Sequence, residues 1–270
     1  MPWIYSNKGK ALEECFLKAI DMNCYIGNWP FRRLRRNSME DLKRIHAENG
    51  IESGYVSSLN SIFYNDPYEG EKELQEALTG TSYQHVMTLN PLLPVWEQDI
   101  HRAEKEMNIR GIKIFPGYHG YSLQEKSADR LYRALESSGL PLLVVVRMED
   151  ERLNYLMTPR QLSAEEICSF IRKHDGDVPI VLIGMLAAEL MTCGDAIRKA
   201  RNVYFDTSGL RNFFDTENLV ETFGADKILY GSQFPLYCLK SSFLMTDKAR
   251  IDEKDREKIF CGNARRLMPE

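Results

Sequence analysis

Eight short apolar runs, each followed by a stretch with helical spacing, recur along the chain. This alternation constrains the fold more than any other feature. The runs are Ala19 to Tyr25, Ile51 to Ser57, Tyr83 to Asn90, Arg110 to Phe115, Leu142 to Arg147, Pro179 to Ile183, Asn202 to Asp206 and Lys227 to Tyr230. Strands separated by helices pair in parallel, because each connection has to cross back over the sheet. Two architectures satisfy that order, an open doubly wound sheet and a closed barrel. No G-x-G-x-x-G follows the first run, which weakens the dinucleotide-binding sheet. Eight units in 270 residues match an α/β chain folded as one (β/α)8 TIM barrel, a single domain over 1–270.

The helical stretches carry their own punctuation. Ser38 opens Ser-Met-Glu-Asp, an acid three residues after a capping hydroxyl, and Ser163 opens Ser-Ala-Glu-Glu in the same way. Glu69 to Leu78, Trp96 to Met107 and Ser127 to Ser138 read as amphipathic helices, while Gly50 and Gly139 stop helices just before a new strand. No linker or low-complexity tract divides the chain.

Bulk properties exclude several classes of function. The net charge is −4, which argues against a nucleic-acid partner. The one basic cluster, Arg32, Arg33, Arg35 and Arg36, reads as a solvated or salt-bridged loop. No apolar run approaches the roughly 18 residues of a membrane span, and the first residues show no apolar signal segment. Six scattered cysteines without C-x-x-C spacing read as free thiols in a reducing compartment, so the expected location is cytoplasmic.

Four motifs then carry a resemblance. The first run reads Asp21-Met-Asn23-Cys-Tyr25-Ile-Gly27, the eighth is followed by Gly231-Ser232-Gln233-Phe-Pro235, the fourth is Arg110-Gly-Ile-Lys113-Ile-Phe-Pro116, and the chain closes on Gly262-Asn263-Ala264-Arg265-Arg266-Leu267. In this order they resemble the amidohydrolase-related family of metal-dependent barrel hydrolases, over almost the whole chain. The resemblance implies hydrolysis of amide or ester-like bonds or, in one branch, decarboxylation. It also implies two metal-binding histidines where Asn23 and Tyr25 stand, further histidines near Arg147 and after Ile183, and an acidic metal ligand where Gln233 stands. Each of these positions has lost its ligand. Neutral amides hold transition ions weakly, and Arg147 stays cationic. The five histidines lie at 46, 85, 101, 119 and 174, and only His119 falls in a strand-to-helix loop of the expected active face. The expectation is therefore no metal and no cofactor.

Polar residues at the strand ends supply the candidate site. Lys113 alternates with Ile112 and Ile114, which places it on the opposite face, as an interior cation or as the partner of an acid near the strand end. His119 and Asp206 are candidates to move a proton, with Lys113 as a third catalytic candidate; Asp206 also reads as a turn residue holding nearby amides. Asn23, Tyr25, Arg147 and Gln233 are the candidate substrate-binding set, and Asp21 is expected to share the inward face of the first strand with Asn23 and Tyr25. Arg147, after five apolar residues, calls for an acid or a ligand anion, with Glu149, Asp150, Glu151 and Asp206 as available acids. Arg147 and Lys113 are expected to converge on a small anionic, carboxylate-bearing molecule. Trp29, Pro30 and Phe31 would wall the mouth, pack the barrel top or form a homo-oligomer contact. Three readings compete: a hydrolase or decarboxylase-like lyase working without the metal, a non-catalytic barrel that binds a small molecule or a partner, and a barrel whose metal ligands differ from the positions aligned above.

Overall fold

The structure is a computed structural model and describes residues 18–150, 152, 153, 155 and 157–268. Its strands are β1 (Ala19–Ile26), β2 (Ile51–Ser58), β3 (Gln84–His85), β4 (Met87–Leu89), β5 (Ile112–Ile114), β6 (Leu142–Val145), β7 (Ile180–Ile183), β8 (Val203–Asp206) and β9 (Ile228–Leu229). Every pairing is parallel, in the order β1-β2-β3 and β4 to β9. The third apolar run supplies both β3 and β4. It pairs with β2 before Val86 and with β5 after it, so one expected strand turns the corner between two ladders. Backbone bonds from Met22 N to Tyr230 O (2.8 Å), Tyr25 N to Phe234 O (2.8 Å) and Gln233 N to Asn23 O (2.7 Å) join the last strand and its following loop to the first. The sheet is thereby closed into the expected barrel, and the edges that an open sheet would leave are removed.

Helices follow the strands: α1 (Met39–Glu48), α2 (Pro67–Leu78), α3 (Trp96–Glu106), α4 (Pro116–His119), α5 (Lys126–Ser138), α6 (Ala164–Lys173) and α7 (Ala187–Thr192), then five more to Leu267. The Ser38 hydroxyl accepts from Asp41 N (3.2 Å) and that of Ser163 from Glu166 N (3.1 Å), so both caps form where the hydroxyl-to-acid spacing puts them. Gly139 ends α5 in the left-handed region. Among the described residues no helix is long and apolar enough to cross a membrane. Five cysteines are free; Cys15 lies outside the described residues, as do Glu151 and the first seventeen positions.

Alternation along the strands separates two cores. Ile112, Ile114, Leu142, Val144, Ile180 and Leu182 pack with the helices. Ile20, Met22, Leu143, Val145, Val181, Ile183 and Leu229 fill the barrel interior. β1 breaks the alternation. Its register against β2 shifts between Asp21, opposite Gly54, and Cys24, opposite Val56. The extra residue of this bulge changes the phase of the strand. Asn23 and Tyr25 turn inward, but Asp21 turns to α1, where His46 Nε2 stands 3.2 Å from its carboxylate. The expected common face of Asp21, Asn23 and Tyr25 is thus corrected by one inserted residue that a strict period of two cannot anticipate.

Candidate functional site

Strands β1, β5 and β8 bring Asn23, Lys113 and Asp206 together in the barrel interior, and all three are fully buried. Lys113 Nζ donates to Asn23 Oδ1 at 3.1 Å, and Asn23 Nδ2 donates to Asp206 Oδ2 at 3.0 Å and to Ser208 Oγ at 3.3 Å. The charges fix the direction of the Asn23 amide, with its oxygen facing the ammonium and its nitrogen facing the carboxylate. Asp206 Oδ1 accepts from Gly184 N at 2.8 Å, so the carboxylate ties β8 to the turn after β7. The ammonium also lies 4.3 Å from the centroid of the Tyr25 ring. Burial lowers the Lys113 pKa to about 8, against the pull of nearby groups including Asp206. Burial likewise raises the Asp206 carboxyl, opposed by its hydrogen bonds from Gly184, Ser208 and Asn23.

Gln233 plays a different role. Its backbone adopts φ of +56°, uncommon without glycine. Its Nε2 donates to Arg147 O at 2.9 Å and Met148 O at 2.7 Å, so the side chain pins the loop after β6. Arg147 stands at the rim and forms a two-pronged pair with Glu189 of α7, at 2.9 Å on each prong. Of the four acids expected for it, the described ones, Glu149, Asp150 and Asp206, are not that partner, and Glu151 lies outside the described residues. The pairing depends on the loop after β7 folding back, which no local pattern announces. Glu189 Oε2 also accepts from Leu186 N at 2.8 Å. Burial acts to raise the Glu189 carboxyl, but the bonds from Arg147 and Leu186 outweigh it and hold its pKa down.

His119 lies apart from this network. It ends α4, its Nε2 is 3.1 Å from Ile62 O, its ring meets Phe115 edge-on, and burial lowers its pKa. Lys113 and Arg147 do not converge either. Arg147 lines a groove at the mouth with Tyr118, Glu149, Tyr155, Arg160 and Glu189, which Lys113 does not reach. The separation follows from depth, since Lys113 is the middle residue of β5 and Arg147 lies beyond the end of β6. Arg160 pairs with Glu166, while its Nε is buried without a partner. Glu189, Arg160 and Tyr155 are site residues that motif reasoning did not single out.

An aromatic cover closes the mouth. Trp29 packs edge-on against Phe31 (5.3 Å), Phe63 (5.5 Å) and Tyr118 (5.5 Å), and Phe31 stacks on Tyr155 (5.0 Å). Trp29 Nε1 and Arg32 Nε both donate to Glu149, each at 2.7 Å. The cover belongs to the same apolar cluster as Tyr25 and Met148. Trp29 therefore packs the barrel top, and Arg32 of the basic cluster is salt-bridged.

The positions that would hold a divalent ion do not fit one. Asn23 presents its amide nitrogen to Asp206 and its oxygen to an ammonium. The Tyr25 hydroxyl and Gln233 Oε1 are buried without partners, but burial pushes the Tyr25 phenol well up and an amide oxygen carries no charge, so both are neutral oxygens and poor ligands for a transition ion. A divalent ion among them would also repel Lys113 by several kcal/mol. Behind β1, Asp21, Cys24 and His46 lie within 4.8 Å of one another. There Asp21 already accepts from Asn23 N (3.0 Å), Ser232 N (2.9 Å) and the Ser232 hydroxyl.

A closed barrel of parallel strands with helices between them defines the class, an α/β barrel. The family model described as Amidohydrolase matches residues 97–269, and the chain belongs to that family. Among solved structures it is similar to 5-carboxyvanillate decarboxylase from Sphingomonas paucimobilis, at 15% identity and a TM-score of 0.68 over 93% of this chain and 99% of that one. It is similar to an uncharacterized TIM-barrel protein from Bordetella bronchiseptica, at 17% identity and 0.71 over 93% and 98%. It is also similar to 2,6-dihydroxybenzoate decarboxylase from Rhizobium, at 14% identity and 0.67 over 93% and 98%. At these identities the likeness establishes the fold. No curated protein sequence matches the chain.

Proposed function

We propose that this chain is a binding member of the amidohydrolase family that works without the family's metal and takes a small carboxylate-bearing molecule in the groove at its mouth. The observation that carries the reading is the sealed interior. Asn23, Lys113, Asp206 and Gln233, the residues placed to do chemistry, are fully buried and mostly bonded to one another or to backbone. A substrate would have to displace both the aromatic cover and the network to reach them. The groove is the accessible part. Tyr118 and Tyr155 offer ring faces, and the unpartnered Nε of Arg160 is a buried donor that a carboxylate oxygen would satisfy. Two of the structurally similar proteins are decarboxylases of carboxylated aromatics, which suggests that ligand class as the first to try.

The test is a panel of aromatic carboxylates, followed by thermal shift and by product analysis. A ligand that binds only the folded state stabilises it by about 2.7 kcal/mol at a hundred times Kd. The expected result is a shift in the parent that is reduced in Arg160→Ala, with no product formed. Product that disappears in Asp206→Asn would overturn the binding-only reading. One observation favours that second reading, a metal-independent hydrolase or decarboxylase-like lyase. Lys113 is brought to about 8 and Asp206 is raised, so both move toward the range where proton transfer is useful.

A further inference from the structure

The cation at the centre of this barrel belongs to the chain itself. Three observations converge on the Lys113 ammonium. Its Nζ is bonded to Asn23 and lies over the ring of Tyr25, the two first-strand positions where the resemblance expects metal-binding histidines. The amide of Asn23 bridges it to the carboxylate of Asp206 on the far side of the interior. Gly231, which follows the eighth run, leaves room for this arrangement, because a Cβ there would collide with Asp206 Oδ2 and crowd Asn23 Cβ. An amide oxygen and a ring face attract a monovalent cation, and the tethered ammonium needs no ligand exchange to stay in place.

We propose that the Lys113 ammonium takes the structural place of the divalent ion, as the fixed cation around which Asn23, Tyr25 and Asp206 are ordered. The inference rests on the reading that the mouth lacks a metal site, and it names what replaces the metal. Lys113 is then a positioning residue, whose ammonium head rather than its aliphatic stem orders Asn23, Tyr25 and Asp206.

The experiment separates charge from bulk. Lys113→Met keeps the unbranched stem of the side chain and removes the ammonium. Its Tm should fall by about 5–10 °C, the loss expected when a buried ionic network loses a partner. Lys113→Ala leaves a cavity that n-propylammonium chloride matches in length and charge, and n-propanol matches in length alone. Propylammonium, compared with sodium chloride at equal ionic strength, should raise the Tm of Lys113→Ala and leave the parent unchanged, while propanol should not. If Lys113→Ala does not stay folded, refolding yield with each additive is the readout and the same contrast is expected. Equal rescue by propanol, no rescue by propylammonium, or a Lys113→Met protein as stable as the parent, would overturn the proposal. So would a stoichiometric divalent metal in the purified parent. Turnover by the parent would overturn the binding-only function and leave this proposal standing, so the two fail separately.

Discussion

Lys113 and Glu189, the acid that holds Arg147, respond to pH in opposite directions because their surroundings differ. The folded pKa of Lys113, about 8, lies below its ordinary 10.5. Between those values the unfolded chain holds the proton that the folded chain has released, so this group adds stability as pH rises. Compared with Lys113→Met, the parent should gain up to about 3 kcal/mol across that window, measured by urea unfolding at successive pH values. A flat difference would mean that burial does not shift the lysine. Glu189 behaves in the other direction. Its carboxyl is held below the ordinary carboxylate range, outweighing burial, by Arg147 and Leu186. Its contribution is present above the unfolded pKa and is lost as pH falls through the folded one. Glu189→Gln should cost roughly 1–3 kcal/mol near neutrality, with the deficit shrinking in acid as the parent carboxyl protonates. A deficit independent of pH would point to packing.

Among the elements, the loops after β7 and β9 depend on glycine for different reasons. Gly184 has φ of +74°, and a Cβ there would collide with Arg147 O; at Gly231 a Cβ would collide with Asp206. Gly139 shares the left-handed conformation, with φ of +69°, yet a Cβ there meets nothing within 4 Å. Alanine at Gly184 or Gly231 should therefore cost roughly 2–4 kcal/mol, and at Gly139 about 1 kcal/mol. Chemical denaturation of the three variants checks the order. A cost at Gly184 equal to that at Gly139, with little cost at Gly231, would show that backbone conformation alone matters and that the close approaches relax. β1 illustrates how an element escapes its pattern. Its residues alternate as a strand should, and only the pairing with β2 reveals the bulge that sends Asp21 toward His46 and Asn23 into the interior.

For the whole molecule, a barrel organised around its own ammonium should be indifferent to chelators. EDTA should leave the Tm unchanged, and added Mn2+ or Zn2+ should not raise it. A bound ion at a hundred times Kd would add about 2.7 kcal/mol, equivalent to roughly 5–10 °C in a chain of this size. A rise of that order would return the mouth to the metal-binding class.

The division between what was legible and what was not follows the range of the interactions. The alternation of apolar runs with helical spacing, the caps at Ser38 and Ser163, and the glycine stop at Gly139 depend on neighbours a few residues apart, and the amino-acid sequence alone determined them. The same holds for the position of Lys113 between Ile112 and Ile114, which the parallel ladder turns inward. The residue types at 23, 25, 147 and 233, which the resemblance sets against metal ligands, are likewise given by the sequence. Which of those residues meet is a matter of tertiary structure. Asn23 and Asp206 are 183 positions apart, and Arg147 and Glu189 are 42 apart. Such pairs exist only because the barrel closes and its loops fold over the rim. Burial decides the rest. The same lysine on an open strand would be a solvated cation, but inside a closed barrel it has to be neutralised by the few polar atoms that β1 and β8 place beside it.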